Sequence, residues 1–382
     1  MATVTRVEAP SGTATMRMLS LDVLRGITIA FMIMVNNNGG HAYWPFEHSA
    51  WSGWTPTDLV FPTFLYVVGV TVVLSMESRF RKGVSGASML PHILRRFVIL
   101  FCLGLFVNGF PYFPWAHLRI YGVLQRIAVC YLVASLLYLW SRRATSKAIL
   151  LVCVLIAYYI IMRWVPVPGS GLPGRDIPFL DHNANMVAWL DRHIFPGRLY
   201  EGVRDPEGLL SDLPALGTTL LGMLTAIWVR SRHSIERKCA GILGAGVVCI
   251  ILGELWNPWF PINKKLWTSS YVLFAGGISM VAWAILMWIS EVRGWRKGWT
   301  GFWLVFGMNA ISAYVFSEVL SSLFGVIHVG ARQQTIGPAM YSGIYSFIHP
   351  AGVASLVYSI CFMLICWAVM AVLYQRKIFI KV

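Results

Sequence analysis

The chain has 382 residues, of which 57% are hydrophobic and only 12% are charged. Soluble domains carry about 25% charged residues, so this composition argues against a water-soluble domain and indicates a protein covered mostly by lipid. The formal net charge is +15. The basic residues lie in short segments between apolar runs, which argues against nucleic-acid binding and for contacts with lipid headgroups.

Ten apolar segments are long enough to cross a bilayer, which takes roughly 20 residues. In chain order the predicted spans are 19–38, 56–76, 91–110, 120–140, 147–166, 208–229, 239–256, 267–289, 302–325 and 351–374. The sequence therefore predicts an all-α, polytopic membrane bundle of about ten transmembrane helices. It has a transmembrane domain at 19–382, a polar cytoplasmic segment at 1–18, and external loops at about 39–55, 167–207 and 326–350.

Basic residues follow every second predicted span. The groups are Arg79, Arg81 and Lys82; Arg142, Arg143 and Lys147; Arg230, Arg232, Arg237 and Lys238; Arg293, Arg296 and Lys297; and Arg376, Lys377 and Lys381. If ten spans alternate, all five groups lie on one side of the membrane. The positive-inside rule assigns that side, and both termini, to the cytoplasm.

The seven cysteines all lie in apolar segments, and the sequence has no Cys-X-X-Cys or mixed His/Cys spacing typical of zinc sites. We therefore expect no structural disulfide and no metal cofactor.

Two polar features mark the first span. Asp22 and Arg25 are three residues apart and share a helix face, so they form either an ion pair that fixes helix packing or a contact to a charged ligand. At the other end, Asn36 to Asn38 precede Gly39 and Gly40. These amides either cap the helix or present a donor to a polar cavity.

His48 lies in an aromatic-rich segment just before the second span, and Asp58 follows ten residues later. A lone histidine is more often structural. A carboxylate beside it would instead orient the imidazole and raise its basicity, which suits a general base. Asp58 could equally act as a cap in the first turn of span two.

Other polar groups are predicted near the same external face. They are Arg119, Gln125, Arg126, Asp205, Glu207, Asp212, Glu254 and Asn263, and Asn309 and Glu318 lie within span nine. Ionisable groups at membrane depth are costly, so they indicate function or buried ion pairs.

Several motifs in this order resemble the heparan-alpha-glucosaminide N-acetyltransferase family. They are RMLSLDVLRG (17–26), HSAWSGWT (48–55), DLVFP (58–62), GVLQR (122–126), DPEG (205–208), PINKKLWTSSYV (261–272), GMNA (307–310) and KIF (377–379). Each motif is weak alone, but the ordered set is specific. The family's additional lumenal domain is not found, so the chain is similar to a compact, bacterial-type member. The resemblance implies a multi-pass protein of the bacterial inner membrane that forms a homodimer.

The resemblance also implies transfer of the acetyl group of cytosolic acetyl-CoA to the amine of a glucosamine-type sugar across the membrane. It places the catalytic histidine at His48 and the functional asparagine at Asn36, with Asn37 as the alternative. Asp58 is then expected to hold the histidine tautomer. From location, the expected acceptor-binding residues are Asn37, Arg126, Glu207, Asp212, Glu254 and Asn263.

Acetyl-CoA must place its phosphates on the basic side while its thioester reaches the other side. We expect the phosphates near Arg25, Arg95 or Arg96, and a polar channel between helices for the pantetheine arm. His48 would act either as a general base or through an acetyl-imidazole. Two rival functions remain at this point: a transporter of sugars or peptidoglycan fragments, and an acyltransferase acting on another envelope glycan.

Overall fold

A computed structural model of the chain describes residues 18–195, 197–330 and 333–380, so the predicted segment 1–18 lies outside these ranges except for Met18. Regular structure in the described ranges consists of α-helices, short 3-10 and π-helical turns and one small sheet. The helices are α1 (Leu19–Asn36), α2 (Val60–Arg81), α3 (Gly86–Gly109), α4 (Val123–Trp140), α5 (Ala144–Trp164), α6 (Met186–Ile194), α7 (Asp212–Val229), α8 (Ile235–Trp256), α9 (Ser269–Met287), α10 (Thr300–Met308), α11 (Ala310–Val326), α12 (Ile336–Tyr345) and α13 (Ala351–Gln375). The strands β1 (His328–Val329) and β2 (Gln334–Thr335) pair antiparallel.

Nine of the helices in the described ranges are long and apolar enough to cross a membrane, and α10 with α11 makes a tenth crossing if the pair is one broken span. The all-α, polytopic architecture predicted from the sequence is confirmed. All seven cysteines are free.

The predicted continuous span 302–325 is divided at Asn309, where α10 and α11 are bent by 79°. Asn309 leaves the helical region and uses its side chain elsewhere. Its Nδ2 donates to Ile378 O at 3.1 Å, and its Oδ1 accepts from Ile380 N at 3.1 Å. The bend lies where the Asn309 side chain binds the backbone of the C-terminal segment, and this span is two helices rather than one.

The predicted external segments contain regular structure that hydropathy does not reveal. Helix α6 lies within 167–207, where Asn185 Oδ1 accepts a capping hydrogen bond from Ala188 N at 2.9 Å. The strand pair and α12 lie within 326–350. These elements are too short to cross a bilayer.

Close helix packing in the core depends on small residues. A Cβ atom at Gly69 of α2 would lie 1.9 Å from Thr219 O of α7, and one at Gly222 of α7 would lie 2.0 Å from Tyr66 O of α2. The two helices therefore touch backbone to backbone. Glycine permits this approach, which increases van der Waals contact between membrane helices.

Three of the basic groups meet at one end of the bundle. Glu77, near the end of α2, accepts from Tyr138 at 2.8 Å and pairs with Arg142 at 3.7 Å and with Arg230. The ends of α2, α4 and α7 are therefore neighbours, as the alternating spans predict. We call this region the basic end. Helices α2, α4, α7 and α9 begin at the opposite end.

Candidate active site

The segment that follows α1 is fixed by contacts on both sides. Gly39 N donates to Ser355 Oγ of α13 at 3.0 Å, and Gly53 N donates to Ile262 O at 2.8 Å. Gly53 has φ +95°, a conformation that favours glycine, and it forms a parallel bridge with Asn263. These bonds place the segment carrying His48 against the loop between α8 and α9.

His48 and Asp58 form a close pair, with Nδ1 of the histidine 2.7 Å from Oδ1 of the aspartate. The Asp58 side chain is 1% exposed, whereas the His48 side chain is 46% exposed. A buried carboxylate at Nδ1 favours the neutral tautomer with its proton on Nδ1. This leaves the lone pair on Nε2, where the ring can accept a proton.

The second oxygen of Asp58 caps the turn Pro56–Leu59, so the two roles considered for this residue coexist. Oδ2 accepts from Ser49 N at 3.0 Å, from Thr55 N at 3.1 Å and from Thr55 Oγ1 at 3.2 Å. Each carboxylate oxygen has separate partners. The capping bonds hold the carboxylate still and aim Oδ1 at His48.

Lys264 lies beside His48 and Asp58, and it is not among the site residues predicted from the sequence. Its Nζ lies 3.0 Å from Nδ1 and 3.4 Å from Nε2 of His48, and 3.7 Å from Oδ1 of Asp58. Burial lowers the pKa of Lys264, and the negative charges of Asp58 and Glu207 partly oppose that effect. The sequence feature that could have indicated Lys264 is the pair Lys264-Lys265 in a loop away from the basic end.

A second cluster of charges joins the segment before α4 to the turn before α7. Arg119 donates to both oxygens of Asp205 at 2.7 and 2.6 Å, and to Glu207 Oε2 at 2.6 Å. Burial alone would lower the pKa of Arg119. The hydrogen bond to Asp205 and the charge of Glu207 outweigh it, so that pKa is raised. Such a bidentate pair fixes both partners firmly.

Asp191 of α6 accepts hydrogen bonds from the backbone of the turn that contains Asp205. Its oxygens accept from Asp205 N at 3.1 Å and from Leu209 N at 3.3 Å. The side chain is fully buried, and burial raises the pKa of Asp191 to about 6, with the neighbouring charge of Asp205 acting in the same direction. The short amphipathic helix α6 thus positions the residues that hold Arg119.

Two predicted acceptor-binding residues bind each other inside the bundle. Fully buried Arg126 donates from Nε to Asp212 Oδ1 at 2.9 Å and from Nη2 to Gly208 O at 3.0 Å, and it lies over the Trp267 ring at 5.0 Å. Tyr121 also donates to Asp212. Arg126 and Asp212 thus form a paired structural unit beneath the turn that carries Glu207.

Glu207 belongs to the second group of charges by its pair with Arg119, and its negative charge also acts to raise the pKa of Lys264 in the first group. Asn36 Nδ2 donates to Glu318 Oε1 of α11 at 3.2 Å. We call the set the polar cluster: His48, Asp58, Lys264, Glu207, Arg119, Asp205, Asn36 and Glu318.

The other predicted acceptor-binding residues have different surroundings. Asn37 is buried and donates to Ile33 O at 2.9 Å, so it caps α1. Asn263 is fully buried, and its Oδ1 accepts from Leu266 N at 2.9 Å, which fixes the loop that carries Lys264. Glu254 is exposed on α8, where it accepts from Asn257 at 3.3 Å, and within the described chain it makes no hydrogen bond or ion pair with the polar cluster.

The three arginines expected to bind CoA phosphates lie toward the basic end of α1 and α3. Arg25 donates to Asp22 at 3.3 Å and to Gly307 O at 3.1 Å, so the predicted ion pair is present. The Arg96 guanidinium lies over the Tyr131 ring at 4.5 Å, and Arg95 is exposed. Over the parts of the chain that the structure describes, no three His, Cys, Asp or Glu side chains group as metal ligands.

The chain is similar in sequence to known proteins over most of its length. A family model described as "Heparan-alpha-glucosaminide N-acetyltransferase, catalytic" matches residues 17–254. Curated proteins named heparan-alpha-glucosaminide N-acetyltransferase from Mus musculus and Homo sapiens are each 29% identical to this chain over 359 residues. The alignments cover 81% of this chain and 54% of each relative, so the chain spans about half the length of the curated relatives that it matches.

Proposed function

The chain belongs to the heparan-alpha-glucosaminide N-acetyltransferase family, and we propose that it transfers the acetyl group of cytosolic acetyl-CoA to the amine of a glucosamine-type sugar on the non-cytoplasmic side of the membrane. The single observation that carries the proposal is the 2.7 Å pair between His48 and a buried Asp58 at the end of the bundle away from the basic loops. We place the protein in the bacterial inner membrane, with the basic end in the cytoplasm.

The pair supplies the proton chemistry that the reaction needs. An amine attacks a thioester only when it is neutral, and the proton lost as the amide forms needs an acceptor. The His48 side chain is 46% exposed, and Nε2 carries the lone pair in the tautomer that Asp58 favours. Direct transfer with His48 as the base requires both substrates to be bound together, whereas an acetyl-imidazole at Nε2 would divide the reaction into two steps.

The remainder of the polar cluster suits an amino-sugar acceptor. Glu207 and Glu318 provide carboxylates that can attract the ammonium form of the sugar and accept its hydroxyl protons. Asn36 presents an exposed amide beside Glu318, whereas the amide of Asn37 is used within α1. Asn36 is thus the better candidate for a donor to the thioester oxygen. Arg126 and Asp212 act by positioning the turn that carries Glu207.

Acetyl-CoA must reach His48 from the basic end. Helices α1, α2, α4, α3 and α11 contact one another in a closed ring, and the polar cluster lies at one end of that ring. Arg25 on α1 and Arg96 on α3 lie toward its other end. The Nε atom of Arg96 is buried and has no hydrogen-bond partner among the described residues, so it can donate to a phosphate. The ring is the proposed route for the pantetheine arm.

The test uses purified full-length protein in lipid nanodiscs with radiolabelled acetyl-CoA and glucosamine. Wild type should form labelled N-acetylglucosamine and release CoA thiol, and His48→Ala should lower turnover by about 10²–10⁴. His41→Ala is the matched control, because His41 lies in the same segment without a bond to Asp58. Near wild-type turnover in His48→Ala would contradict the assignment, and uptake of sugar without CoA release would support a transporter.

A further inference from the structure

Lys264 lies in the loop between α8 and α9, beside the segment that carries His48. Two hydrogen bonds fix this loop: Asn263 O accepts from Thr268 N at 3.1 Å, and Asn263 Oδ1 accepts from Leu266 N at 2.9 Å. The bridge between Gly53 and Asn263 fastens this loop to the segment that carries His48. A cation is therefore held in a fixed position beside His48.

The two adjacent lysines of this loop have different partners. Lys265 makes an ordinary ion pair with Glu201 at 3.0 Å. Lys264 instead lies 3.0 and 3.4 Å from the two ring nitrogens of His48 and 3.7 Å from Asp58 Oδ1. An ammonium has three hydrogens, and with the ring proton on Nδ1 only Nε2 and Asp58 Oδ1 can accept one among these contacts. At least one hydrogen therefore remains for a substrate.

Lys264 lies close enough to Nε2 of His48 to reach a substrate that reacts there. A group that exchanges a proton with Nε2 lies about 3 Å from it, and so no more than roughly 6 Å from Nζ of Lys264. We propose that Lys264 is a catalytic residue whose ammonium donates to the thioester carbonyl oxygen and stabilises the oxyanion that forms there. This inference rests on the proposed acetyl transfer, and it adds a charged donor to the amide of Asn36.

The reaction balances without a net change at Lys264. The amine nitrogen forms a bond to the thioester carbon while Nε2 of His48 takes the amine proton, and negative charge moves onto the carbonyl oxygen beside Lys264. When the carbonyl re-forms, the carbon–sulfur bond breaks and its electron pair leaves with sulfur. The proton on His48 then passes to the sulfur, which gives the CoA thiol. Lys264 donates hydrogen bonds throughout and keeps its protons.

The surroundings of Lys264 predict a pH signature. Asp58 and Glu207 face it with negative charge, Lys265 adds positive charge, and His48 is its closest neighbour. Burial lowers the pKa of Lys264, so its ammonium is lost at a lower pH than that of an exposed lysine. Turnover should then decline on the alkaline side as Lys264 loses its proton.

The experiment compares Lys264→Met, Lys264→Arg and Lys265→Met with wild type, measuring CoA release from acetyl-CoA and glucosamine between mildly acidic and alkaline pH. We expect Lys264→Met to lower kcat by about 10²–10³ with little change in KM for acetyl-CoA. Lys264→Arg should keep more activity and move the alkaline decline upward, because arginine stays charged. Lys265→Met, which removes an equal charge from the same loop, should stay within about twofold of wild type.

A failure of the role proposed for Lys264 and a failure of the proposed acetyl transfer give different results. If Lys264→Met keeps kcat within about threefold while His48→Ala is inactive, acetyl transfer stands and Lys264 is not catalytic. If wild type itself transfers no acetyl group, the proposed function fails. Melting temperature identifies a folding defect in Lys264→Met, and in that case the alkaline decline in Lys264→Arg decides: an unshifted decline overturns the role.

Discussion

Replacing Asp58 with asparagine tests the central pair because the structure dictates how the new amide must lie. Oδ2 of Asp58 accepts from Ser49 N, Thr55 N and Thr55 Oγ1, and Oδ1 faces His48. The amide oxygen of asparagine must take the side with the donors, since an NH2 group there would meet N–H groups. The NH2 group then faces His48 and donates to Nδ1.

This arrangement reverses the histidine tautomer. Nδ1 becomes an acceptor, so the ring proton moves to Nε2, which can no longer take a proton from the amine. We expect kcat for CoA release to fall by about 10²–10⁴, as expected when an orienting carboxylate is lost. The remaining oxygen keeps the capping bonds, so the cost in stability should be at most about 1 kcal/mol.

The assay measures acetyl transfer and thermal unfolding on the same nanodisc preparation. Thr55→Val is the matched control, because it removes the hydroxyl bonds to Glu47 O and to Oδ2 but keeps the two backbone bonds to Oδ2 and the Oδ1–His48 contact. It should lower the melting temperature slightly and keep most of the turnover. Near wild-type kcat in a folded Asp58→Asn protein would refute the reasoning, since no route through an unprotonated Nε2 would remain.

Three further predictions concern other parts of the molecule. Asn36→Ala should lower kcat by about 10–10³ with little change in melting temperature, whereas Asn37→Ala should mainly lower the melting temperature, because its amide caps α1; equal kinetic losses would contradict this division. Gly69→Ala should destabilise the bundle by about 1–3 kcal/mol, since its Cβ would lie 1.9 Å from Thr219 O, while Gly244→Ala, which has open space, should be nearly neutral in the same unfolding assay. The pKa of Asp191 is raised from a usual value of 3.8 to about 6 in the folded protein, so between these pH values the folded state binds more protons than the unfolded state. The free energy of unfolding should therefore fall as pH rises across that window, by up to about 3 kcal/mol from this group. Asp191→Asn should flatten that part of the stability curve, and an unchanged slope would count against the assignment.

The architecture could be predicted from the sequence because lipid imposes a strong and local constraint. A membrane span needs a long apolar run, and the alternation of basic loops then sets the orientation of each span across the membrane. The structure differs at the span around Asn309, where the helix breaks although hydropathy is continuous. Hydropathy does not report that break, because it arises from hydrogen bonds between Asn309 and residues about 70 positions later in the chain.

The site was predictable in part. His48 and Asp58 are ten residues apart, on either side of one turn, so the sequence could suggest their contact. Lys264 is 216 residues from His48, and Glu318 is 282 residues from Asn36, so nothing local indicates either pair. The same limit applies to the contact between Arg126 and Asp212, which are 86 residues apart. Their predicted role in binding the acceptor stays a prediction.

The sequence by itself determined that this protein spans the membrane many times and which loops carry the positive charge, because both follow from composition along short stretches of chain. The tertiary structure decided which polar groups meet. At the end of the bundle away from the basic loops, the loop before α2 and the loop before α9 bring His48 and Lys264 together, and the turn before α7 brings Glu207 to Arg119. Helix packing sets those distances, and helix packing depends on contacts between residues far apart in the sequence.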